Sequence, residues 1–263
     1  MDLGISGESA LVVGASEGIG FECASALMEE GADVAICSRS EDKLRDAAGR
    51  LQRRFGRPVK WLAADVTRAA DAQRLEQWAD REIGTLDILV SAVGGSQRAL
   101  FEELDDAAWI ANYEFNVLSA VHVVRAALEP LKRSGSGRIV ILGAAGPRMP
   151  YPHQLVSNVH KAGLIAMVKT LGAEFRPFNI RVNSVSPGRT MTSLWKTRIE
   201  KLSRERGVSP EAIVDEFSHE IPMGRFANPE EIAPMVVFLA SHKASYVTCQ
   251  SILVDGGIAR GLI

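Results

Sequence analysis

Leu11-Val12-Val13-Gly14-Ala15-Ser16-Glu17-Gly18-Ile19-Gly20 decides how this chain folds. Three branched apolar residues run into a glycine, and two more glycines flank Ile19 after a short polar interval. The apolar run reads as a buried strand, and the residues from Gly18 onward carry a helical period. Gly14 permits a tight turn, Gly18 lets a phosphate approach the backbone, and Gly20 lets the helix pack close to the strand. Amides at a helix N-terminus and the helix dipole favour negative charge. With Ser16, Glu17 and Ile19 in the same loop, the segment is expected to cradle the diphosphate of a dinucleotide.

The same alternation continues outward. Strands are expected at Ala10–Val13, Val34–Cys37, Val59–Ala63, Ile88–Ser91, Arg138–Leu142, Arg181–Ser184 and Ser251–Val254. Helical patterns fill Gly18–Glu30, Glu41–Arg54, Ala69–Ile83, Ala107–Lys132, His153–Phe175 and Pro229–Ser241. Nearly all-apolar strands alternating with helices imply an α/β protein, a parallel sheet covered on both faces. No repeat or linker divides the 263 residues, so one domain is expected. Arg189–Arg225 breaks the alternation with two further helical segments, Thr192–Arg206 and Pro210–His219. An insertion there lies at the carboxyl edge of the sheet, where open α/β folds bind ligands, and it reads as a substrate lid. Its Trp195, Ile199, Leu202 and Phe217 suit an apolar substrate or the packing of a helical pair.

Composition bounds the partners. The net charge of −2 argues against nucleic acid, whose phosphates need clustered Lys and Arg. Cys23, Cys37 and Cys249 are an odd set with no neighbouring His or Cys at metal-ligand spacing, so no metal is expected. Reduced thiols point to the cytoplasm. Met1–Ser9 lacks the basic and apolar regions of a signal peptide, and no apolar run reaches the roughly 18 residues that span a bilayer.

After the second strand come Ser38, Arg39 and Ser40, where NAD-binding folds usually carry a carboxylate for the ribose hydroxyls. Arg39 can instead make a bidentate pair with a 2′-phosphate, which favours NADP over NAD. Glu17 argues mildly the other way. Asp65, followed by Val66, can accept a bond from an adenine amino group or cap the helix beginning near Arg68.

The glycine spacing, Asp65-Val66, Ser91-Ala92-Val93-Gly94, Asn116, Lys161, Pro187-Gly188 and Val254-Asp255-Gly256-Gly257 occur in the order found in one family. Over nearly its whole length the chain resembles the short-chain dehydrogenases/reductases. Ile221-Pro222-Met223-Gly224-Arg225 and Pro229-Glu230-Glu231-Ile232-Ala233 look like the 3-oxoacyl-carrier-protein reductases among them. The resemblance implies a single doubly wound (Rossmann) domain with a seven-stranded parallel sheet. It implies a nicotinamide cofactor on Gly94, Lys161, Pro187, Gly188 and Thr190 as well as the glycine loop. It further implies a small-molecule substrate and a homotetramer or homodimer packed through the long fourth and fifth helices.

The family's active site is Asn, Ser, Tyr and Lys. Asn116 and Lys161 match it, but Ala144 stands for the serine and Ser157 for the tyrosine four residues before the lysine. Lesser departures are Val13 for a threonine, Ala92 for an asparagine and Cys249 for a glycine. A phenol beside Lys⁺ is a usable acid near neutrality, whereas an aliphatic hydroxyl donates a hydrogen bond but is a poor proton source. Ser157 is therefore expected to face a substrate as a donor, with Tyr151, His153 or His160 as substitute acids. The expected activity is hydride transfer between NADP(H) and a carbonyl or alcohol. Alternatives are an enoyl or dienoyl thioester reductase, to which Ser157-x-x-x-Lys161 is similar, and a redox-inactive nucleotide-binding sensor or subunit.

Overall fold

In a computed structural model, which describes residues 1–261, seven strands form one parallel sheet in the order β3-β2-β1-β4-β5-β6-β7. They are β1 (Ser9–Val13), β2 (Asp33–Ser38), β3 (Lys60–Ala63), β4 (Ile88–Ser91), β5 (Arg138–Leu142), β6 (Arg181–Pro187) and β7 (Ser251–Val254). Helices α1 (Gly18–Glu29), α2 (Glu41–Phe55) and α9 (Ala233–Ala240) cover one face. Helices α3 (Ala69–Glu82), α5 (Ser119–Ser134) and α6 (Leu155–Glu174) cover the other. The fold is the doubly wound one expected.

Strand alternation builds the two cores. Along β1, Ala10 and Val12 face α1 and α9, while Leu11 and Val13 face the opposite layer with Leu75, Trp78 and Leu131. Because successive side chains leave opposite faces of a strand, an all-apolar run is what a sheet buried on both sides requires. β1 pairs with β2 on one side and β4 on the other, so the order of connections reverses between β1 and β4. That reversal opens a crevice beyond the carboxyl ends of these strands, where doubly wound sheets bind ligands.

Three helical expectations differ in detail. The segment expected as one helix over Ala107–Lys132 is α4 (Asp106–Tyr113) and α5 joined by a π-type turn, Glu114–Leu118, in which Ser119 N–H donates to the Glu114 carbonyl. The helix expected from His153 begins at Leu155, because Pro152 precedes a left-handed His153 (φ 63°) that no helix accommodates. Pro229–Glu231 forms a separate 3₁₀ turn before α9. The long segment after β6 carries α7 (Ser193–Arg206) and α8 (Pro210–Ser218) over a third apolar cluster that includes Ile199, Ile213 and Phe217.

Candidate functional site

The glycine loop lies where β1 turns into α1. Gly14 and Gly18 have φ of 87° and 61°. A Cβ on Gly20 would run into the carbonyl of Gly14, which is why the helix can seat so close to the strand. Glu17 occupies the N-cap of α1, yet no side chain caps that helix, and no acidic residue lies in its first turn. The leading amides of α1 are thus left for an anion, the arrangement a diphosphate needs.

The crevice beside this loop has a volume of about 290 Å³. Gly14, Glu17, Gly18, Ile19 and Gly20 line it together with Gly94, Ser157, Lys161, Pro187, Gly188 and Thr190. Ser16 lies behind the loop, its hydroxyl 3.0 Å from that of Ser38. Arg39 and Ser40 follow β2 outside this crevice; Arg39 is exposed and makes no ion pair among the described residues. Glu17 is held by Lys43 at 3.3 Å and accepts from Ser193 Oγ at 3.1 Å, so its charge is answered within the protein.

Asp65 does not cap α3. Its Oδ1 accepts from the backbone N–H and hydroxyl of Thr67, closing a tight turn, and α3 starts after Arg68 with no side-chain cap. Val66 is buried, and its carbonyl lies 2.7 Å from His122 Nδ1. Both residues sit beyond β3 and do not line the crevice.

At the other end of the crevice Lys161 and Asn116 come together. Both are buried, and a Cβ on Gly94 (φ 137°) would fall 2.6 Å from Lys161 Nζ and 2.8 Å from Asn116 Oδ1. Glycine at 94 is the space those two polar groups occupy. Burial pushes Lys161 down to about 8. Asn116 sits in the π-type turn, where widened winding brings its side chain off the helix; its Oδ1 accepts from Gly95 N–H at 3.0 Å.

Ser157, expected to face a substrate, is committed elsewhere. Its Oγ accepts from Gln97 N–H at 2.8 Å and donates to the Gln97 carbonyl at 3.3 Å. A hydroxyl has one proton to donate, and Ser157 spends it on the loop that follows β4. Asn112, unmarked in the sequence reading, connects that loop to its surroundings. Its Oδ1 accepts from Asn116 Nδ2 at 3.1 Å and faces His160 Nδ1 at 2.8 Å, while its Nδ2 donates to Gln97 Oε1 at 3.3 Å. The four-residue spacing of Asn112 and Asn116 on one helical face was the available signal.

The substitute acids fall in three different places. His160 packs edge-on against Trp109 and Tyr113, away from the crevice, and burial lowers its pKa. His153 is exposed, and its carbonyl accepts from Ala99 N–H. Tyr151 borders an adjoining cleft; its hydroxyl is buried with no partner among the described residues, and burial raises its pKa. Cys249 takes the left-handed conformation (φ 59°) that suits the glycine it stands for.

A family model described as Enoyl-(Acyl carrier protein) reductase matches residues 14–259. Over 260 residues the chain is 31% identical to 2,3-dihydro-2,3-dihydroxybenzoate dehydrogenase of Bacillus subtilis, a match covering 98% of each. It is similar, with a TM-score of 0.96 and 32% identity over 100% of both chains, to L-sorbose reductase from Gluconobacter frateurii, solved with NADPH and L-sorbose. It is also similar to an NADPH-bound short chain oxidoreductase from Pseudomonas aeruginosa PAO1 described as containing an atypical catalytic center. There the TM-score is 0.89 and the identity 31%, covering 96% of this chain and 97% of that one.

Proposed function

The chain belongs to the short-chain dehydrogenase/reductase family, and on that premise we propose that it transfers hydride between NADP(H) and a carbonyl or alcohol substrate. The observation that carries this reading is the crevice itself: an uncapped α1 N-terminus at one end and a buried Lys161 beside Gly94 and Asn116 at the other. Relatives of this fold hold NADPH. The residues present suit the same dinucleotide. The α1 amides receive the diphosphate, exposed Arg39 answers a 2′-phosphate, and the Glu17 carboxylate that would oppose it is held by Lys43. Bound there, the nicotinamide supplies or accepts the hydride.

Protonation of the nascent alkoxide is assigned to Lys161. With Ala144 and Ser157 at the family's serine and tyrosine positions, it is the buried acid lining the crevice. An ammonium near 8 is a stronger acid than a phenol near 10, and proton transfer is most effective when the donor's pKa lies near the working pH. Asn116 braces the wall through Gly95, and Ser157 anchors the loop that shapes it.

Supporting an oligomer, α6 exposes Val159, Ala162, Gly163 and Ala166, spaced three and four residues apart so that they share one face. An exposed apolar stripe of this kind is a surface that a second copy can cover. A homodimer or homotetramer through this face and α4–α5 follows. The segment 189–225 acts as the lid of a single domain. No helix among the described residues is long and apolar enough to cross a membrane, and burial pushes the Cys23 and Cys37 thiols up to about 12, in keeping with inert cysteines of a cytoplasmic protein.

The test is NADPH consumption with a panel of ketones, followed by its absorbance. Turnover that falls on the order of 10²-fold or more in Lys161→Met is expected; tight NADPH binding with no turnover of any ketone would refute the reading. The matching family description favours one second reading, reduction of a double bond conjugated to a thioester carbonyl. Crotonyl and dienoyl thioesters assayed beside the ketones separate the two.

A further inference from the structure

Beside the cofactor crevice lies a second cleft of about 500 Å³. The two share Ser96, Ala144, Gln154, Gly188 and Trp195 as a common wall, so a molecule in one reaches the other. Three arginines from three different parts of the chain converge on it: Arg98 from the loop after β4, Arg189 after β6 and Arg198 from α7.

Their charges are unequally answered. Arg189 is buried and fully engaged, with one guanidinium nitrogen donating to the Phe217 carbonyl and the other pairing with Glu220 at 2.5 Å. Arg98 has no carboxylate within ion-pair distance among the described residues. With its amide turned so that oxygen faces the guanidinium, Gln154 accepts from Arg98 Nε at 3.1 Å and Nη2 at 2.6 Å, which orients the charge without neutralising it. Arg198 lies over Trp195 at 4.7 Å and Phe217 at 5.3 Å, and it too makes no ion pair among the described residues. The acidic side chain lining the cleft is Glu205, which is exposed and within 3.6 Å of Lys201, itself part of the lining. Two half-buried guanidinium groups thus face one space without an ion-pair partner among the described residues; Glu220, the carboxylate that acts on Arg98, is already paired with Arg189.

Such an arrangement is costly unless an anion enters. Burial lowers both pKa values first, and like charge adds to it: Arg189 acts on Arg98, and Arg98, Arg189 and Arg206 act on Arg198, while Glu220 partly offsets the shift of Arg98. The guanidinium fork matches the two oxygens of a carboxylate or the face of a phosphate. Trp195, which Arg198 overlies, lines the cleft with Leu202 and Ile258 and supplies apolar wall beside the arginines. Building on the hydride-transfer reading above, we infer that the substrate is an oxo- or hydroxy-compound bearing an anionic group, carboxylate or phosphate, held between Arg98 and Arg198. Its apolar body lies along Trp195, and its reactive carbon points through the shared wall towards Lys161.

Two measurements separate this inference from the reading it rests on. The first is calorimetric binding to the NADP⁺ complex, which needs no turnover, using matched aryl carboxylate, aryl phosphate and neutral aryl amide. The second is kcat/KM for an oxo-acid, its phosphate counterpart and its neutral methyl ester. At least tenfold tighter binding of one anion than of the amide is expected, and the stronger arm tells carboxylate from phosphate. Arg98→Gln and Arg198→Gln should each lower the anion-to-neutral ratio at least tenfold, with Arg198→Lys recovering part of it. Thermal denaturation checks that each variant is folded. Equal binding of anion and amide, or an unchanged ratio in both Gln variants, overturns the inference even if NADPH is consumed. Anion binding that is lost in Arg198→Gln, with no turnover in any arm, upholds the anion site and overturns the reaction assigned to it.

Discussion

Replacing Ser157 by alanine separates an anchor from a catalytic group. The substitution removes the acceptor for Gln97 N–H at 2.8 Å and the donor to the Gln97 carbonyl at 3.3 Å, at a side chain that is 4% exposed. Leaving a fully buried backbone N–H unmet costs about 1–3 kcal/mol, which bounds the cost at half-buried Gln97 from above. For a chain of this size each kcal/mol shifts the midpoint of unfolding by about 2–4 °C, so Tm should fall by up to roughly 12 °C. Gln97 follows Gly94 and Gly95, which form the crevice wall, and precedes Arg98, so loosening it should raise KM for both cofactor and substrate. The rate constant kcat should change little, because no proton is lost from the reaction. A donor to a developing oxyanion would behave in the opposite way, with a kcat loss of about 10²–10³ and an unchanged Tm. Thermal denaturation of the free protein and steady-state kinetics on the same preparation decide between them. A Tm equal to that of the parent protein with kcat down by about 10² would refute the anchor.

Three further outcomes are expected. Arg39→Ala should weaken NADPH by the worth of a charge-assisted bond, about 1.5–3 kcal/mol, and leave NADH nearly untouched; calorimetric affinities for both dinucleotides check it, and equal losses would contradict the 2′-phosphate assignment. Lys161 is held at about 8 in the folded chain and returns to its ordinary value near 10.4 on unfolding, so between these limits the unfolded state binds more protons and stability of the cofactor-free protein rises with pH. Lys161→Met should flatten that rise when Tm is followed over the same interval. Ala166→Arg, on the exposed face of α6, should convert the oligomer to monomer in light scattering, whereas an unchanged mass would locate the interface elsewhere.

The sheet was legible because burial on both faces leaves a signature in every strand. Leu11-Val12-Val13 and Ile139-Val140-Ile141 are apolar without interruption, and β4, β5 and β7 begin and end where the residue pattern places them. The glycine loop was legible for a related reason: three residues without side chains are required by close approach, and few other sequences meet that need. The bond between Ser157 and Gln97 was not legible because the two lie 60 residues apart, and a hydroxyl carries no mark of the backbone group it will meet. Arg98 and Arg198 carry no mark of a shared site in the sequence, since only the fold brings the loop after β4 against α7. The π-type turn was invisible because one extra residue in a helix alters hydrogen-bond pairing and leaves composition as it was.

That turn bears on how the chain tolerates changes of length. Removing one residue from a helix rotates everything beyond it by about 100° and shortens it by about 1.5 Å. Neither neighbour of Glu114–Leu118 can rotate to absorb this: α5 is locked against α3 and the sheet through Val123, Ala127 and Leu131, and α4 is tied to α6 through Asn112 and His160. The slack therefore resides in the turn, and so does Asn116. A single-codon deletion among these five residues would restore regular winding and swing the amide that supports Gly95 out of register, whereas one in the loop between Gly56 and Val59 would leave the crevice intact. The polar wall of the crevice is in this sense encoded by the length of the helix rather than by any one side chain in it.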